Sequence, residues 1–518
     1  MPIARYLASF VAVASVALLG WSSGCGGSDA NAPKAGEGGV GGGSGGTGGS
    51  GGMFVMYDGN VTSTGSHICS QDGNVCTNLC SGGTTTITVK VFDPAGNNPV
   101  YNAAVWVPYT TPGPMPAGLT CNCSDLYTGG FVGSYALTKP DGSFTIKGAP
   151  SSKTGGSVPI VVQVGKWRYQ TKISATCGTD NNVPDKALRL PQGRSGTNVM
   201  FPGDLPNIAV STGSADTLEC LLTRVGVDKQ EYVPGPGTAG GGHVHIYQGS
   251  LPTSAPNTSP PAPQSSMALW DTVPHLTQYD AVLLSCEGAA TAGTQPQNLY
   301  DYGQAGGRVF ASHFHYQWFL GQPFPNFGMW YTSRSNNLAT AYGTIQTTLP
   351  NGNPFYEGQA LLAFLQATNA VDANNELVVY QARHNVDVPV TTPQNAIPWI
   401  NFDTPKSTFL PNTVNDPLVS SGTLNSTLYF SWDTQAPGTE TACGRFVYSD
   451  LHVGGNSGDY QESPMANGPP PGGVVPAGCN SGAPLSNQEK ALEFMLFDLT
   501  SCLAPPGGGA DGGIGIPQ

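Results

Sequence analysis

The chain has 518 residues and a net charge of −13, from 20 Lys and Arg against 33 Asp and Glu, with no Lys/Arg cluster, which argues against a nucleic-acid partner. Charged residues make up only 10%, while Gly reaches 71 and Pro 44, a balance that excludes coiled coils and helical bundles and points to turn-rich β architecture. The 39% apolar content is enough to bury a core, and the length suits two or three domains.

In chain order, Arg5 comes first and is followed by the apolar run YLASFVAVASVALLGW at 6–21. A positive residue before a short apolar run is the pattern of an export signal, and the run is too short for a membrane span. It ends in SSGC. A small residue before a Cys at this point resembles the lipobox of bacterial lipoproteins, although Ser22 stands where that family usually has Leu. The resemblance implies a signal over 1–25, lipid on Cys25, and an exported protein held at the cell envelope with a membrane as its partner. Residues 26–65 follow as a Gly-rich, disordered tether; its first part, Gly26–Gly52, has a coil reach of about 30 Å. The GGSGG within it matches the nucleophile-elbow pattern by accident, since no strand precedes it. Twelve cysteines agree with export. Setting Cys25 aside leaves an odd number, so at least one thiol is free or bonded between chains. No C-x-x-C pair exists, which disfavours a zinc ribbon.

Residues 66–195 read as an all-β sandwich. TTTITVKVF alternates Ile87, Val89 and Val91 on one face and runs into the turn Asp93-Pro94-Ala95-Gly96. KPDGSFTIKG has the Asp-Gly turn signal before Phe144 and Ile146, and VPIVVQVGKWRYQTKI is a long hairpin broken at Gly165-Lys166. The order ITVKVFDPAGNNPVYNAAVWVP … TKPDGSFTI resembles the carboxypeptidase-regulatory-like, transthyretin-type domains. Those are mostly noncatalytic modules of exported proteins.

Residues 204–503 change to alternating strands and helices, which implies βαβ units and a three-layer α/β domain with a mainly parallel sheet. LPNIAVSTG is a strand. SADTLECLLTRVGV is a helix with Ser214 or Asp216 at its start. HVHIYQG and YDAVLLSCEG are strands, QPQNLYDYGQAGG is a short helix, and RVFASHFHYQWF begins as a strand. A Pro/Gly-rich insert lies near 233–268. Later come the helix YEGQALLAFLQAT, the strands LVVYQA, STLYFSW and GRFVYSDLHV, and a final amphipathic helix NQEKALEFMLFDLTSCL. Residues 504–518 are expected to be a disordered tail. No G-x-G-x-x-G follows a strand and no P-loop pattern exists, so nucleotide cofactors are not expected.

Ligands of open α/β sheets gather beyond the carboxyl ends of the strands. Here those ends read SCEG, SHFH and SDLHVG. GGRVFASHFHYQWF, paired with a late GRFVYSDLHVGG, resembles the trehalose-utilisation (ThuA-like) branch of the class I glutamine-amidotransferase-like fold. His313 and His452 match its two His positions. The amidotransferase Cys elbow is absent, so glutamine hydrolysis is not implied. The resemblance implies a link to sugar metabolism.

In an extended chain His313 and His315 would face one way. With His452 they form a candidate metal set for a divalent ion such as zinc, and with Glu287 the two outer histidines form a candidate acid–base set. His315, Tyr316 and Trp318 are candidate substrate contacts. Cys286 is the nucleophile candidate, or else a buried free thiol or the disulfide partner of Cys220. Two functions stand open: a binding or scaffold lipoprotein, with carbohydrate as a ligand, or a carbohydrate-directed hydrolase or isomerase.

Overall fold

A computed structural model describes residues 67–69, 76–78 and, with interruptions of which 410–425 and 454–482 are the longest, 85–503. Cys25, the tether at 26–65 and the tail at 504–518 lie outside the described residues, as does part of the insert near 233–268. The described chain is mostly β, arranged in several sheets, with few helices.

Period-two alternation builds the first sheets. Ile87, Val89 and Val91 are buried in the strand Thr86–Phe92, and Phe144 and Ile146 lie opposite Val89 and Ile87 in the strand Ser143–Lys147. Val158–Val164 and Trp167–Ile173 pair as the expected hairpin, with Ala104–Trp106 alongside. These strands lie in a four-stranded and a six-stranded sheet.

From residue 208, short continuous apolar runs replace alternation, the pattern of strands covered on both faces. In chain order they are β1 (Ile208–Ser211), α1 (Leu218–Val225), β2 (Tyr232–Pro234), β3 (Val244–Tyr247), β4 (Ala281–Leu284), α2 (Pro296–Gln304) and β5 (Arg308–Ser312). Then come β6 (Leu338–Ile345), α3 (Tyr356–Ala367), β7 (Glu376–Tyr380), β8 (Ile397–Phe402), β9 (Thr427–Gln435), β10 (Ala442–Ser449) and α4 (Asn487–Leu499). One sheet takes them all in the order β2-β3-β1-β4-β5-β10-β9-β8-β6-β7. Pairing is parallel from β2 to β10 and antiparallel from β10 to β7. The expected mainly parallel sheet is therefore parallel over one half only. Crossover helices support the parallel half, whereas β9 runs into β10 through residues 436–441, and so short a link allows only antiparallel pairing.

Helix α4 differs from expectation. It opens with a capping box between Ser486 and Glu489. Instead of one apolar face, it is buried on nearly every side, with only Lys490 and Asp498 partly exposed. Tyr101 stacks on its Phe494 at 5.6 Å, and Trp167 donates to Thr500 at its end at 3.2 Å. Gly165 at the hairpin tip has φ +51°, and a side chain there would run into the Thr500 carbonyl. The first sheets and the larger sheet thus share one apolar core across α4. A disulfide between Cys121 and Cys443 ties the two regions over 322 residues of sequence.

Burial obliges the acids of α4 to find partners. Glu489 is bound by the Arg224 guanidinium. Asp498 accepts from Arg445 at 2.9 Å, and Arg445 also grips Asp433 at 2.7 and 3.1 Å. Glu493 Oε2 accepts from Asn98 Nδ2 at 2.6 Å, while its Oε1 is buried with no donor facing it. The neighbouring Asp93 carboxylate already accepts from the backbone N–H groups of Asn97 and Asn98. A proton on Glu493, donated to Asp93, satisfies both groups. Burial first, and the Asp93 charge second, push Glu493 well above the usual carboxyl range.

A carboxyl whose folded pKa is raised contributes stability at low pH that is lost as pH rises through the folded value. Stability is therefore expected to fall as pH climbs above the ordinary carboxyl range, and Glu493→Gln should flatten that slope. Urea midpoints over a pH series check this, and an unchanged slope in the variant would remove Glu493 as its source. Cys443→Ser is expected to cost about 2–5 kcal/mol from loss of the long-range crosslink, measured in the same way.

Candidate metal centre

Parallel register sets the level of the site. Leu284 lies beside Ala311, and Ser312 beside Ser449. Cys286, His313 and Asp450 therefore leave β4, β5 and β10 at one height, with His452 two residues further on. All sit beyond the carboxyl ends of three adjacent parallel strands, β4, β5 and β10.

The expected extended run does not continue past β5. The strand stops at Ser312, and His313–Phe319 forms a 3-10 turn. His313 itself has φ +38°, the left-handed region, which costs a non-glycine residue about 1–3 kcal/mol. His313 and His315 consequently point to different places. His313 Nδ1 lies 3.3 Å from Cys286 Sγ, and its ring is 5.1 Å from that of His452. One donor atom from each of Cys286, His313 and His452 falls within 4.8 Å of the others, and none of the three residues is more than 1% exposed. Among the described residues, none makes a hydrogen bond to the buried Nε2 of either histidine. The Asn385 amide lies near His313 and favours its charged form, but burial dominates and keeps the imidazole far below its usual pKa. Burial does the same to His452 and lifts the Cys286 thiol to about 12.

His315 is elsewhere. Its Nε2 donates to the Ser285 carbonyl at 2.9 Å, and its Nδ1 accepts from Trp318 at 3.1 Å, so both nitrogens are occupied. Trp318 is wholly buried against Trp270, and Tyr316 is buried beside Trp330. These three expected substrate contacts are packed in the core. Glu287 is also buried, with its carbonyl taking a hydrogen bond from Ser214 and its carboxylate near Gly249, apart from the three clustered donors. His243 and His245 engage Glu231 and Tyr279 at the other end of the sheet. Cys286 is a free thiol and Cys220 is disulfide-bonded, so the Cys220–Cys286 pairing does not occur.

Two carboxyls that sequence reasoning passed over support the cluster. Asp216, expected as a helix cap, leaves that position to Thr217. It instead accepts from Ser312 Oγ and from the Val453 N–H at 2.7 Å, so one carboxylate holds the residue before His313 and the residue after His452. Asp450 lies 2.9 Å from the Asn385 N–H and 2.9 Å from the Tyr448 hydroxyl, which also lies 2.9 Å from the His313 carbonyl. One hydroxyl proton cannot serve two acceptors, so the set closes when Asp450 itself carries a proton. Burial raises both Asp216 and Asp450 to about 7. Arg383, from the segment after β7, acts on all five groups. Four reversals across the antiparallel half return β7 to the direction of β10, which brings that segment to the same edge. The signal that could have found it is a strand running straight into the polar stretch QARHN.

A soft sulfur and two neutral imidazoles suit zinc or a related transition ion. Donors around a tetrahedral zinc lie roughly 3.3–3.6 Å apart; the 3.3 Å Cys286–His313 contact matches that spacing, and the three donor atoms together lie within 4.8 Å. Three protein donors leave a fourth position for water or substrate. Against known proteins the chain matches no family model, no curated protein and no solved structure.

Asp216→Ala leaves a buried N–H and a buried hydroxyl unpaired. A loss of about 2–5 kcal/mol in chemical unfolding is expected, and a loss under about 1 would show that Asp216 does not hold the cluster.

Proposed function

We propose that this is an exported, envelope-anchored protein whose α/β region carries a mononuclear metal centre of Cys286, His313 and His452, suited to hydrolysis or isomerisation of a polar substrate such as a carbohydrate. The observation that carries the reading is the convergence of three buried donors, one atom from each of which lies within 4.8 Å of the others. An ion bound there would supply Lewis-acid activation of a water at its open position. The protein's own part is to exclude bulk water, to keep both imidazoles neutral, and to hold the cluster through Asp216 and the Tyr448–Asp450 pair. His315 and Glu287, the other two residues expected in this chemistry, have no place in the set.

The export signal, the SSGC sequence at Cys25 and the Gly-rich tether support lipid anchoring at the envelope. The paired strands of the first region support a carboxypeptidase-regulatory-like sandwich, and the His313 and His452 strand ends support a ThuA-like α/β domain. The second reading, a binding or scaffold lipoprotein without catalysis, draws support from the near-complete burial of all three donors.

Metal analysis of the purified chain after zinc loading is expected to give close to one ion per molecule, with affinity reduced about 10-fold or more in Cys286→Ser and His313→Ala. His315→Gln should keep the ion. A loaded wild type that holds no metal would overturn the reading and leave the binding protein.

A further inference from the structure

Between the first sheets and the larger sheet lies a cleft of about 720 Å³ whose lining includes none of Cys286, His313 and His452. Its charge runs against that of the whole molecule. The lining carries three cations, Lys90, Arg224 and Lys490, and one carboxylate, Asp141, in a chain with 20 basic and 33 acidic residues. Two of the cations are matched. Lys90 lies 3.6 Å from Asp141, and Arg224 is committed to Glu489.

Lys490 is not. Its Nζ donates to the Thr368 carbonyl at 2.8 Å, and among the described residues no carboxylate lies within ion-pair distance. The natural partner one turn on, Glu493, is turned to Asn98 and Asp93. Partial burial already disfavours the ammonium, with Glu493 opposing. The same cleft is lined by Asn97 and by Asn369, the residue after the Thr368 whose carbonyl Lys490 binds. Asn369 ends its helix in the left-handed region at φ +53°.

We propose that this cleft binds a small polar anion, a carboxylate- or phosphate-bearing molecule, seated on the Lys490 ammonium with the amides of Asn97 and Asn369 beside it. An ammonium held partly out of water gains most from an anion that restores its charge partner, and amides can donate to the remaining oxygens. A charge-assisted contact of this kind is worth a factor of about 10–100 in affinity.

Calorimetric titration of the full chain with inorganic phosphate, with citrate and with glucuronate tests this, with glucose as the neutral control. At least one anion is expected to bind and glucose to fail. Phosphate alone or a carboxylate alone would name the class. Lys490→Gln should weaken binding about tenfold or more, and Lys490→Arg should retain most of it. Asn369→Gly, which keeps the backbone conformation, should weaken it less and serves if the Lys490 variants fold poorly. A chelator should leave the affinity unchanged, which separates this cleft from the metal centre. Failure of all three anions to bind, or binding indifferent to both Lys490→Gln and Asn369→Gly, would overturn the proposal.

Discussion

Helix α4 is the constraint on which the rest depends. Its burial on nearly all sides forces three acids into the interior, and each acid selects a partner from a different part of the chain. Glu489 takes Arg224 of α1, Glu493 takes the Asp93–Asn98 turn of the first sheets, and Asp498 takes Arg445 of β10. Replacing such pairs by apolar residues is often neutral in energy, but breaking one is expensive. They act as address labels, since a shifted helix would leave an uncompensated charge in the core.

This docking also bears on the metal-centre candidate. Gln488 of α4 donates to the His452 carbonyl at 2.5 Å and accepts from the Tyr380 N–H at 2.7 Å. The same helix therefore touches the His452 segment after β10 and the end of β7, from which Arg383 and Asn385 return to the cluster. The unusual backbone of His313 is held from both ends, through Ser312 to Asp216 and through its carbonyl to Tyr448. Strain of this kind persists because several independent hydrogen bonds over-determine it.

Much of the fold was legible. Ile87, Val89 and Val91 alternated and are buried on one face, and the Gly165-Lys166 break is the hairpin tip. The strand ends carrying Cys286, His313 and His452 were readable from apolar runs stopping at polar residues. The pairing of His313 with His315 was misleading, because a spacing of two has meaning only while the strand continues, and the chain turns at Ser312. The amphipathic expectation for α4 failed because its acids mimic a solvent face when their partners are 53 to 395 residues away.

The sequence by itself determined the local elements: where strands run, where glycines permit turns, and which residues stand at strand ends. Those follow from side-chain periodicity and backbone sterics, which act over a few residues. Tertiary structure alone decided which strand ends meet, that half the sheet is antiparallel, and that Cys286 joins His313 and His452 while His315 turns to Ser285 and Trp318. Those outcomes depend on register and on buried charge pairing between distant segments, and neither leaves a trace in local sequence.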